Sequence, residues 1–247
     1  MEKNSVKVGI MQPYFMPYIG YWQLMNAVDK YVIYDDVNFI KRGWIHRNRI
    51  LINGEPRYIN IPMLGVSQNK LINEIEVNQA ELSTGKTLRS IEEAYKRAPY
   101  YDAVFPLMKE ILNCGRENIA SFIEFSFQII CEYLDIQTEL IVSSKLDKNC
   151  ELKGQDKILD ICSRLNATEY YNAIGGQELY SFEAFEERGM KLSFLKTDQI
   201  EYPQYGNEFQ ANLSMIDVLM FNSKEQVQDM LKRFELITSE NGGSKLE

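Results

Sequence analysis

Near the start of the chain, the pattern of apolar positions changes from one typical of a strand to one typical of a helix. Residues 6–11 (VKVGIM) form a mostly apolar run of strand length, and residues 19–28 are apolar at helical spacing. A second strand is predicted at residues 30–34. The succession of strand, turn, helix and strand is typical of a βαβ unit.

A hairpin is predicted next, because Asn53-Gly54 lies between RNRILI and EPRYINI. Residues 71–77 (LINEIEV) alternate in the manner of a further strand. The hairpin turn fixes which residues face each other across its two strands. The predicted pairs are Arg47 with Asn60, Arg49 with Tyr58 and Leu51 with Pro56.

The middle of the chain, at about residues 84–135, has the pattern of packed helices. Strands and helices alternate after it, with strands predicted at 139–142, 168–171 and 191–195 and helices at 156–165, 182–188, 215–221 and 225–234. This order predicts an α/β fold with a mostly parallel, Rossmann-like sheet, plus the hairpin and an inserted helical segment. We expect one domain over residues 1–239 and a flexible tail at 240–247.

Composition narrows the classes of function. The formal net charge of -8 argues against a general binder of nucleic acid or of membrane surfaces. Four irregularly spaced cysteines and a single histidine favour reduced thiols in a cytoplasmic protein over a disulfide framework or a zinc site. Since no apolar run reaches the length of a membrane helix, no membrane span is expected.

The stretch QPYFMPYIGY, residues 12–21, follows the first predicted strand. Ligands of parallel α/β sheets bind at the carboxyl ends of strands, where helix N-termini also point. We therefore take Gln12, Tyr14, Tyr18 and Tyr21 as candidate substrate contacts and Gly20 as a point of close backbone approach. A rigid, well-packed turn explains the same residues equally well.

Asp35 and Asp36 end the second predicted strand, at the same edge of the sheet. Carboxylates at this position can accept hydrogen bonds from sugar hydroxyls or hold Mg²⁺, which makes both aspartates catalytic candidates. The alternative is that one caps a turn and the other is a solvated surface charge.

Residues 41–49, KRGWIHRNR, place four positive charges in nine positions. Arg47 and Arg49 fall on one face of a strand, where two guanidinium groups suit a diphosphate or a carboxylate. An edge strand that carries charges against aggregation would look the same. His46 is a candidate proton acceptor because its ordinary pKa lies near neutrality. Further binding candidates in this stretch are Lys41, Arg42, Trp44 and Asn48.

Three later positions complete the candidate site. Ser143, Ser144 and Lys145 follow the strand at 139–142, where the lysine could reach a phosphate as a catalytic group and the serines could bind it. Gly175-Gly176 resembles a loop of close approach, and Gln204 lies in a later polar loop. The sequence contains no GxGxxG, Walker A or GxSxG motif.

Several segments together resemble the WbqC-like family of bacterial proteins, and they cover nearly the whole chain. They are MQPYFMPYIGYWQLM, VIYDDVNFIKRGWIHRNRI, YINIPM, IVSSKL, YYNAIGGQELY and YPQYGNEFQANLSMIDVLMFN. The resemblance implies a role in O-antigen, lipopolysaccharide or other surface-polysaccharide biosynthesis. It implies a transferase that moves glycine or another acyl unit onto an amino sugar. His46 stands where an asparagine or similar polar residue is more usual.

The implied substrates are a nucleotide-linked amino sugar and a small acyl donor, with a homodimer as an option for assembly. In that picture the arginines hold the diphosphate, Asp35 and Asp36 contact sugar hydroxyls or Mg²⁺, and the tyrosines form the walls of the pocket. A carboxylate or His46 would take the proton of the reacting amine.

A fainter likeness connects PYIGY with the HxGH loop of nucleotidylyl transferases, and IVSSKL with their second phosphate motif. Tyr18 and Tyr21 stand in place of the two histidines, so Arg47, Arg49 and Lys145 would have to supply the positive charge. Adenylation would require ATP and Mg²⁺ as cofactors. The alternatives are thus nucleotidylyl transfer with release of pyrophosphate, or a non-catalytic protein that binds sugar nucleotides.

Overall fold

Strands and helices alternate through most of the computed structural model, which describes residues 5–206 and 208–241. The strands are β1 (Lys7–Met11), β2 (Lys30–Ile33), β3 (Arg47–Ile52), β4 (Glu55–Asn60), β5 (Met63–Leu64), β6 (Glu76–Val77), β7 (Glu139–Val142), β8 (Glu169–Ala173), β9 (Lys191–Thr197) and β10 (Phe234–Ile237). The helices are α1 (Ile19–Asn26), α2 (Gln79–Leu82), α3 (Lys86–Tyr95), α4 (Tyr101–Leu112), α5 (Ile119–Leu134), α6 (Gly154–Arg164), α7 (Phe182–Glu186), α8 (Met215–Phe221) and α9 (Lys224–Met230).

Six strands form the central sheet in the order β10-β9-β8-β1-β2-β7. All neighbours are parallel except β10, which runs antiparallel to β9. Numbered along the chain, these six strands have the order 3-2-1-4-5-6 of Rossmann folds. The order reverses between β1 and β8, and the predicted α/β fold with its mostly parallel sheet is confirmed.

Both faces of the sheet are buried, which explains the continuous apolar character of its strands. Side chains alternate along β2, so that Tyr31 and Ile33 pack on the face covered by α1 and α5 while Val32 packs on the face covered by α6. Trp22 of α1 and Phe185 of α7 are fully buried on these opposite faces.

The hairpin β3–β4 has the predicted register, with Arg47 opposite Asn60, Arg49 opposite Tyr58 and Leu51 opposite Pro56. A buried contact fixes it to the helices, because the Leu51 amide donates to the Tyr95 hydroxyl at 3.0 Å. The same hydroxyl donates to Asp217 Oδ1 at 2.7 Å. The hairpin is therefore held rigidly, and it positions residues 47–49 toward the central sheet.

Two predictions of secondary structure are wrong. Residues 71–77 form a 3₁₀ turn over Ile72–Glu74 and only the short strand β6, because Ile72 and Ile75 are both buried at helical spacing. The helix predicted at 225–234 ends at Met230, and Phe234–Ile237 forms β10.

The other strands and helices predicted outside the helical segment and the hairpin lie within two residues of their predicted bounds. The predicted helical segment holds α3, α4 and α5. Residues 242–247 of the predicted tail are outside the described residues. No helix in the described part of the chain is long and apolar enough to cross a membrane.

Candidate ligand-binding cleft

Three adjacent pockets lie along the carboxyl ends of the parallel strands. The central pocket, about 580 Å³, is formed by the ends of β1 and β8, where the strand order reverses. It shares Tyr14 and Tyr18 with a pocket of about 440 Å³ that we call the aromatic end. It shares Tyr34, Val37 and Gly154 with a pocket of about 580 Å³ that we call the lysine pocket. The switch point of a doubly wound sheet is the usual place for a ligand.

The loop between β1 and α1 is held in a strained shape. Met16 has φ of 42°, a left-handed conformation that is uncommon for a residue other than glycine. Asn48 Nδ2 donates to the carbonyl oxygens of Phe15 at 3.1 Å and Met16 at 2.8 Å. Ser214 Oγ donates to the Met16 oxygen at 2.7 Å. These bonds fix the loop, and strain maintained in this way is frequent at functional sites.

Gly20 allows Tyr18 to form a wall of the cleft. A Cβ atom at Gly20 would lie 2.4 Å from Cε2 of Tyr18 and 2.5 Å from Oγ1 of Thr197. Because these distances are far below van der Waals contact, only glycine fits beneath the ring. Gly20 thus shapes the site without lining it, because Tyr18 and Thr197 occupy the space where close approach of a ligand was expected.

The remaining residues of this loop have different roles. Tyr21 is buried and its hydroxyl donates to the Gln12 carbonyl oxygen at 2.7 Å, so it supports the loop from below. Gln12 lines the central pocket, where its Oε1 accepts from the Tyr14 hydroxyl at 3.4 Å. Tyr14 lines both the central pocket and the aromatic end.

At the aromatic end, Arg49 is the guanidinium group that faces the cleft. Its Cζ lies 5.7 Å from the centroid of the Trp44 ring, and Nη2 donates weakly to the Asn212 oxygen at 3.4 Å. Its Nε is buried and has no hydrogen-bond partner among the described residues. Because that Nε is buried, only the terminal nitrogens of the guanidinium can meet an acidic ligand group in the cleft. Asn48 also lines this end.

Arg47 does not join Arg49 in the cleft, although both side chains are on one face of the hairpin. Its Nε donates to the Gly43 oxygen at 3.1 Å and its Nη2 to the Arg42 oxygen at 2.6 Å. The guanidinium also covers the Tyr58 ring at 4.7 Å. Arg47 therefore closes the turn before β3, while Lys41 and Arg42 are exposed on that turn. The expected pair of guanidinium groups is not formed.

Asp35 is buried, and its carboxylate is used within the fold. Oδ1 accepts from the Ser144 amide at 2.8 Å, and Oδ2 accepts from Ser144 Oγ at 2.6 Å and Asn73 Nδ2 at 3.3 Å. These bonds join the end of β2 to the turn after β7 and to the 72–74 turn. The structure gives Asp35 a supporting position rather than the expected place in the cleft.

Asp36 faces the lysine pocket. Its Oδ2 is 3.1 Å from Nζ of Lys148 and 2.9 Å from Nζ of Lys157. Burial alone would raise the pKa of Asp36, but the hydrogen bonds it accepts, including those from the two lysines, hold that pKa below its usual value. The pocket also contains Ser144 and the exposed Lys153.

The two lysines that bind Asp36 are nearly inaccessible, with side chains 1% exposed for Lys148 and 8% for Lys157. Lys148 also donates to the carbonyl oxygen of Ser143, whose own side chain is buried. Lys157 reaches from the second turn of α6 and lies 5.1 Å from the centroid of the Tyr34 ring. The pocket therefore has positively charged groups at its floor.

Three expected site residues lie away from the cleft. Lys145 has a side chain 71% exposed at the surface, 3.8 Å from Glu124. The centroid of the His46 ring lies 5.8 Å from that of Phe39. Burial of the ring lowers the pKa of His46, and the nearby charge of Arg47 lowers it further, so the ring is neutral at physiological pH. Gln204 Nε2 donates to Asp217 Oδ2 at 2.7 Å and belongs to a polar network under the hairpin.

The two glycines after β8, Gly175 and Gly176, have different roles. Gly175 lines the central pocket, and a Cβ there would meet no atom within 4 Å. At Gly176 a Cβ would lie 2.6 Å from Oδ1 of Asn172, so this glycine is the one that close packing requires. Both line the central pocket, as expected for a loop at the end of a strand.

The lysine pocket also contains a thiol. Cys150 is exposed and lines this pocket, whereas Cys131 and Cys162 are buried and burial raises their pKa to about 12. All four cysteines are free. Within residues 5–206 and 208–241, no three histidine, cysteine or acidic side chains come together to form a metal site.

Sequence reasoning missed Lys148, Lys153 and Lys157 and selected Lys145 in their place. A signal was present, because KLDKNCELKGQDK at 145–157 holds four lysines in an acidic protein. The signal is weaker than at residues 41–49, because Asp147, Glu151 and Asp156 lie among these lysines. It could not have separated the exposed Lys145 from the buried lysines.

Comparison with known proteins agrees with the resemblance noted in the sequence. The model of the WbqC-like protein family matches residues 12–229. The uncharacterized protein Rv1507c of Mycobacterium tuberculosis is 25% identical over 229 residues, covering 92% of this chain and 97% of that protein. No solved structure matches the chain. Since the family model spans most of the sequence, from the loop after β1 into α9, the chain belongs to the WbqC-like protein family.

Proposed function

We propose that this protein is an enzyme of bacterial surface-polysaccharide biosynthesis that forms an amide on a nucleotide-linked amino sugar. The group transferred to the sugar amine is glycine or another acyl or aminoacyl unit. The observation that carries the proposal is the cleft at the switch point of the sheet, with aromatic walls in its middle and positively charged groups at both ends. Membership of the WbqC-like family supports it.

The central pocket suits the sugar. Tyr14 and Tyr18 present aromatic faces to it, and Gln12 offers an amide that can bond to hydroxyl or amino groups. Few polar groups on largely apolar walls are typical of sites that orient a small ligand. Arg49 at one end would bind an acidic group of the ligand through the terminal nitrogens of its guanidinium.

The chemical step requires a C–N bond to form while the acyl carbon loses its leaving group and the amine loses a proton. Orientation of the two reactants is the contribution that the cleft is best built to make. A thioester donor would supply its own leaving group. An acid donor would need activation by ATP and Mg²⁺, so the choice of donor decides the cofactors.

The test is to incubate the purified protein with nucleoside diphosphate amino sugars and with either acyl thioesters or glycine, ATP and Mg²⁺. We expect a new mass equal to the sugar nucleotide plus the acyl group. Arg49→Gln should lower the rate, and Arg47→Gln serves as the matched control at the closed turn. Binding without any new mass would contradict transfer, and pyrophosphate release from a nucleoside triphosphate and a sugar phosphate, with no acyl donor present, would indicate nucleotidylyl transfer.

A further inference from the structure

Three lysines and a single carboxylate, that of Asp36, line the lysine pocket, so its lining carries more positive than negative charge. Lys148 and Lys157 are both nearly buried, and both bind the same carboxylate oxygen of Asp36. Two ammonium groups thus share one carboxylate. Buried charge is normally paired, and an excess positive charge at the floor of an open pocket favours an anion above it.

Both ammonium groups also keep hydrogen-bonding capacity. A lysine has three N–H donors. Lys157 uses two of them, for the Asp36 carbonyl at 3.2 Å and its Oδ2 at 2.9 Å, and Lys148 uses two for Ser143 and Asp36. Because each nitrogen is about 3 Å from the same oxygen, the two lie at most about 6 Å apart. A phosphate group bound by Lys157 would therefore also lie close to the charge of Lys148.

The start of α6 adds to this field. The helix has eleven residues, begins at Gly154, and its N-cap residue Lys153 makes no side-chain bond to the first turn. Gly154 lines both the lysine pocket and the central pocket. The free amides and the positive end of the helix dipole favour an anion at this position, and the Lys153 ammonium reinforces them.

From these observations we infer that the lysine pocket binds a phosphate or diphosphate group, with Lys153 and Lys157 as direct donors and Lys148 below them. The inference rests on the proposed function for the identity of the ligand. The shared walls of Tyr34, Val37 and Gly154 would place the rest of that ligand in the central pocket. The phosphate belongs either to the sugar nucleotide or to ATP.

Cys150 provides a readout of occupancy that does not depend on activity, because it is exposed and lines this pocket. In a Cys114→Ser background, Cys150 is the accessible thiol among the four cysteines. The experiment measures its alkylation by N-ethylmaleimide, an uncharged reagent, at rising concentrations of inorganic pyrophosphate. We expect saturable protection and a rise in melting temperature, since a ligand of the native state stabilises it.

The lysine variants are compared by the pyrophosphate concentration that gives half protection. Lys153→Met and Lys157→Met should each raise it by about tenfold, whereas Lys145→Met, the exposed neighbour, should change it less than about twofold. Lys153 is exposed, so its variant should fold even if Lys157→Met does not. Absence of protection, or equal loss in Lys145→Met, would overturn the inference.

Competition of a nucleoside diphosphate amino sugar and of ATP against pyrophosphate then identifies the source of the phosphate, and displacement by either supports the inference. The two proposals fail separately. If sugar nucleotides bind Lys157→Met and the unmodified protein equally, the phosphate lies elsewhere although the transfer reaction can still stand. If pyrophosphate protects Cys150 but no amide forms, the phosphate site stands and the reaction does not.

Discussion

The two ends of the cleft attract negative charge by different means. At the aromatic end a single guanidinium, that of Arg49, lies beside the partly exposed Trp44. At the lysine end two ammonium groups are buried against one carboxylate. A partly open guanidinium can select a planar acidic group, whereas buried ammonium groups act as a fixed field that salt screens weakly. The cleft thus combines orientation at one end with attraction at the other.

The two consecutive aspartates after β2 also differ in their binding partners. Asp35 and Asp36 follow the same strand, yet Asp35 accepts bonds from neutral donors at Ser144 and Asn73, and Asp36 accepts from two lysines. The first carboxylate holds loops together. The second holds the positive charges of the lysine pocket in place, so it belongs to the site through its neighbours.

The largest effect is expected from Asp36→Asn. It leaves two buried ammonium groups without a counter-ion and should lower the free energy of unfolding by about 3 kcal/mol. Because the pKa of Asp36 is lowered in the folded protein, its stabilisation is present above the ordinary carboxyl pKa and is lost as pH falls through the folded value. The difference in unfolding free energy between Asp36→Asn and the unmodified protein should therefore become smaller at acid pH, as measured by urea unfolding.

The control for this substitution is Glu124→Gln, which removes the partner of the exposed Lys145. An exposed pair contributes little, so its unfolding free energy should change by less than about 1 kcal/mol. If Asp36→Asn and Glu124→Gln lowered the unfolding free energy equally, the buried lysines would need their carboxylate no more than the exposed Lys145 needs Glu124.

Gly20→Ala should damage the aromatic end and spare the lysine pocket. The new methyl group would overlap the Tyr18 ring, costing about 2 kcal/mol and moving a wall of the cleft. Sugar-nucleotide binding, measured by calorimetry, should weaken while pyrophosphate still protects Cys150. Gly175→Ala adds a methyl group to the central pocket without meeting any protein atom, so it separates added bulk in the pocket from displacement of Tyr18. If both alanine variants behaved alike, the close approach at Gly20 would have no role in binding.

Arg49→Gln should weaken binding of the sugar nucleotide about tenfold, or about 1.4 kcal/mol, because the guanidinium that lines the aromatic end is lost. Arg47→Gln should have less than about a twofold effect on binding, since Arg47 is bonded to its own turn. The measurement is a calorimetric titration of both variants. A larger loss at Arg47 would show that residues 41–47 contact the ligand.

The smallest effect is expected from His46→Asn. The ring lies against Phe39, outside the walls of the cleft, and is neutral because burial lowers its pKa. Binding should change less than about twofold, and its pH dependence between about 6 and 8 should stay the same. A change in that pH profile would restore His46 as a candidate proton acceptor.

Local patterns were sufficient for most of the fold. Periodicity predicted β7 and α8 to the residue, and the Asn53-Gly54 turn fixed the register of the hairpin. β10 was missed because an edge strand of four residues depends on pairing with β9 rather than on its own pattern. The turn at residues 72–74 was missed because its burial is set by distant helices.

The place of the cleft could be predicted from the sequence, but the side chains that face it could not. The carboxyl end of β1 was correctly expected to form a pocket, since that follows from the topology of a parallel sheet. Which aspartate faces the pocket depends on Ser144, Lys148 and Lys157, more than 100 residues along the chain. Arg47 and Arg49 look equivalent in sequence, and only the turn before β3 separates them.

The most direct test of the account is one calorimetric titration series with a nucleoside diphosphate amino sugar. The series compares the unmodified protein, Lys157→Met, Arg49→Gln and the double variant. If one ligand spans the cleft, each single variant should bind about tenfold more weakly and the double variant about a hundredfold, because distant contacts add. Binding unchanged in either single variant would contradict a ligand that reaches both ends.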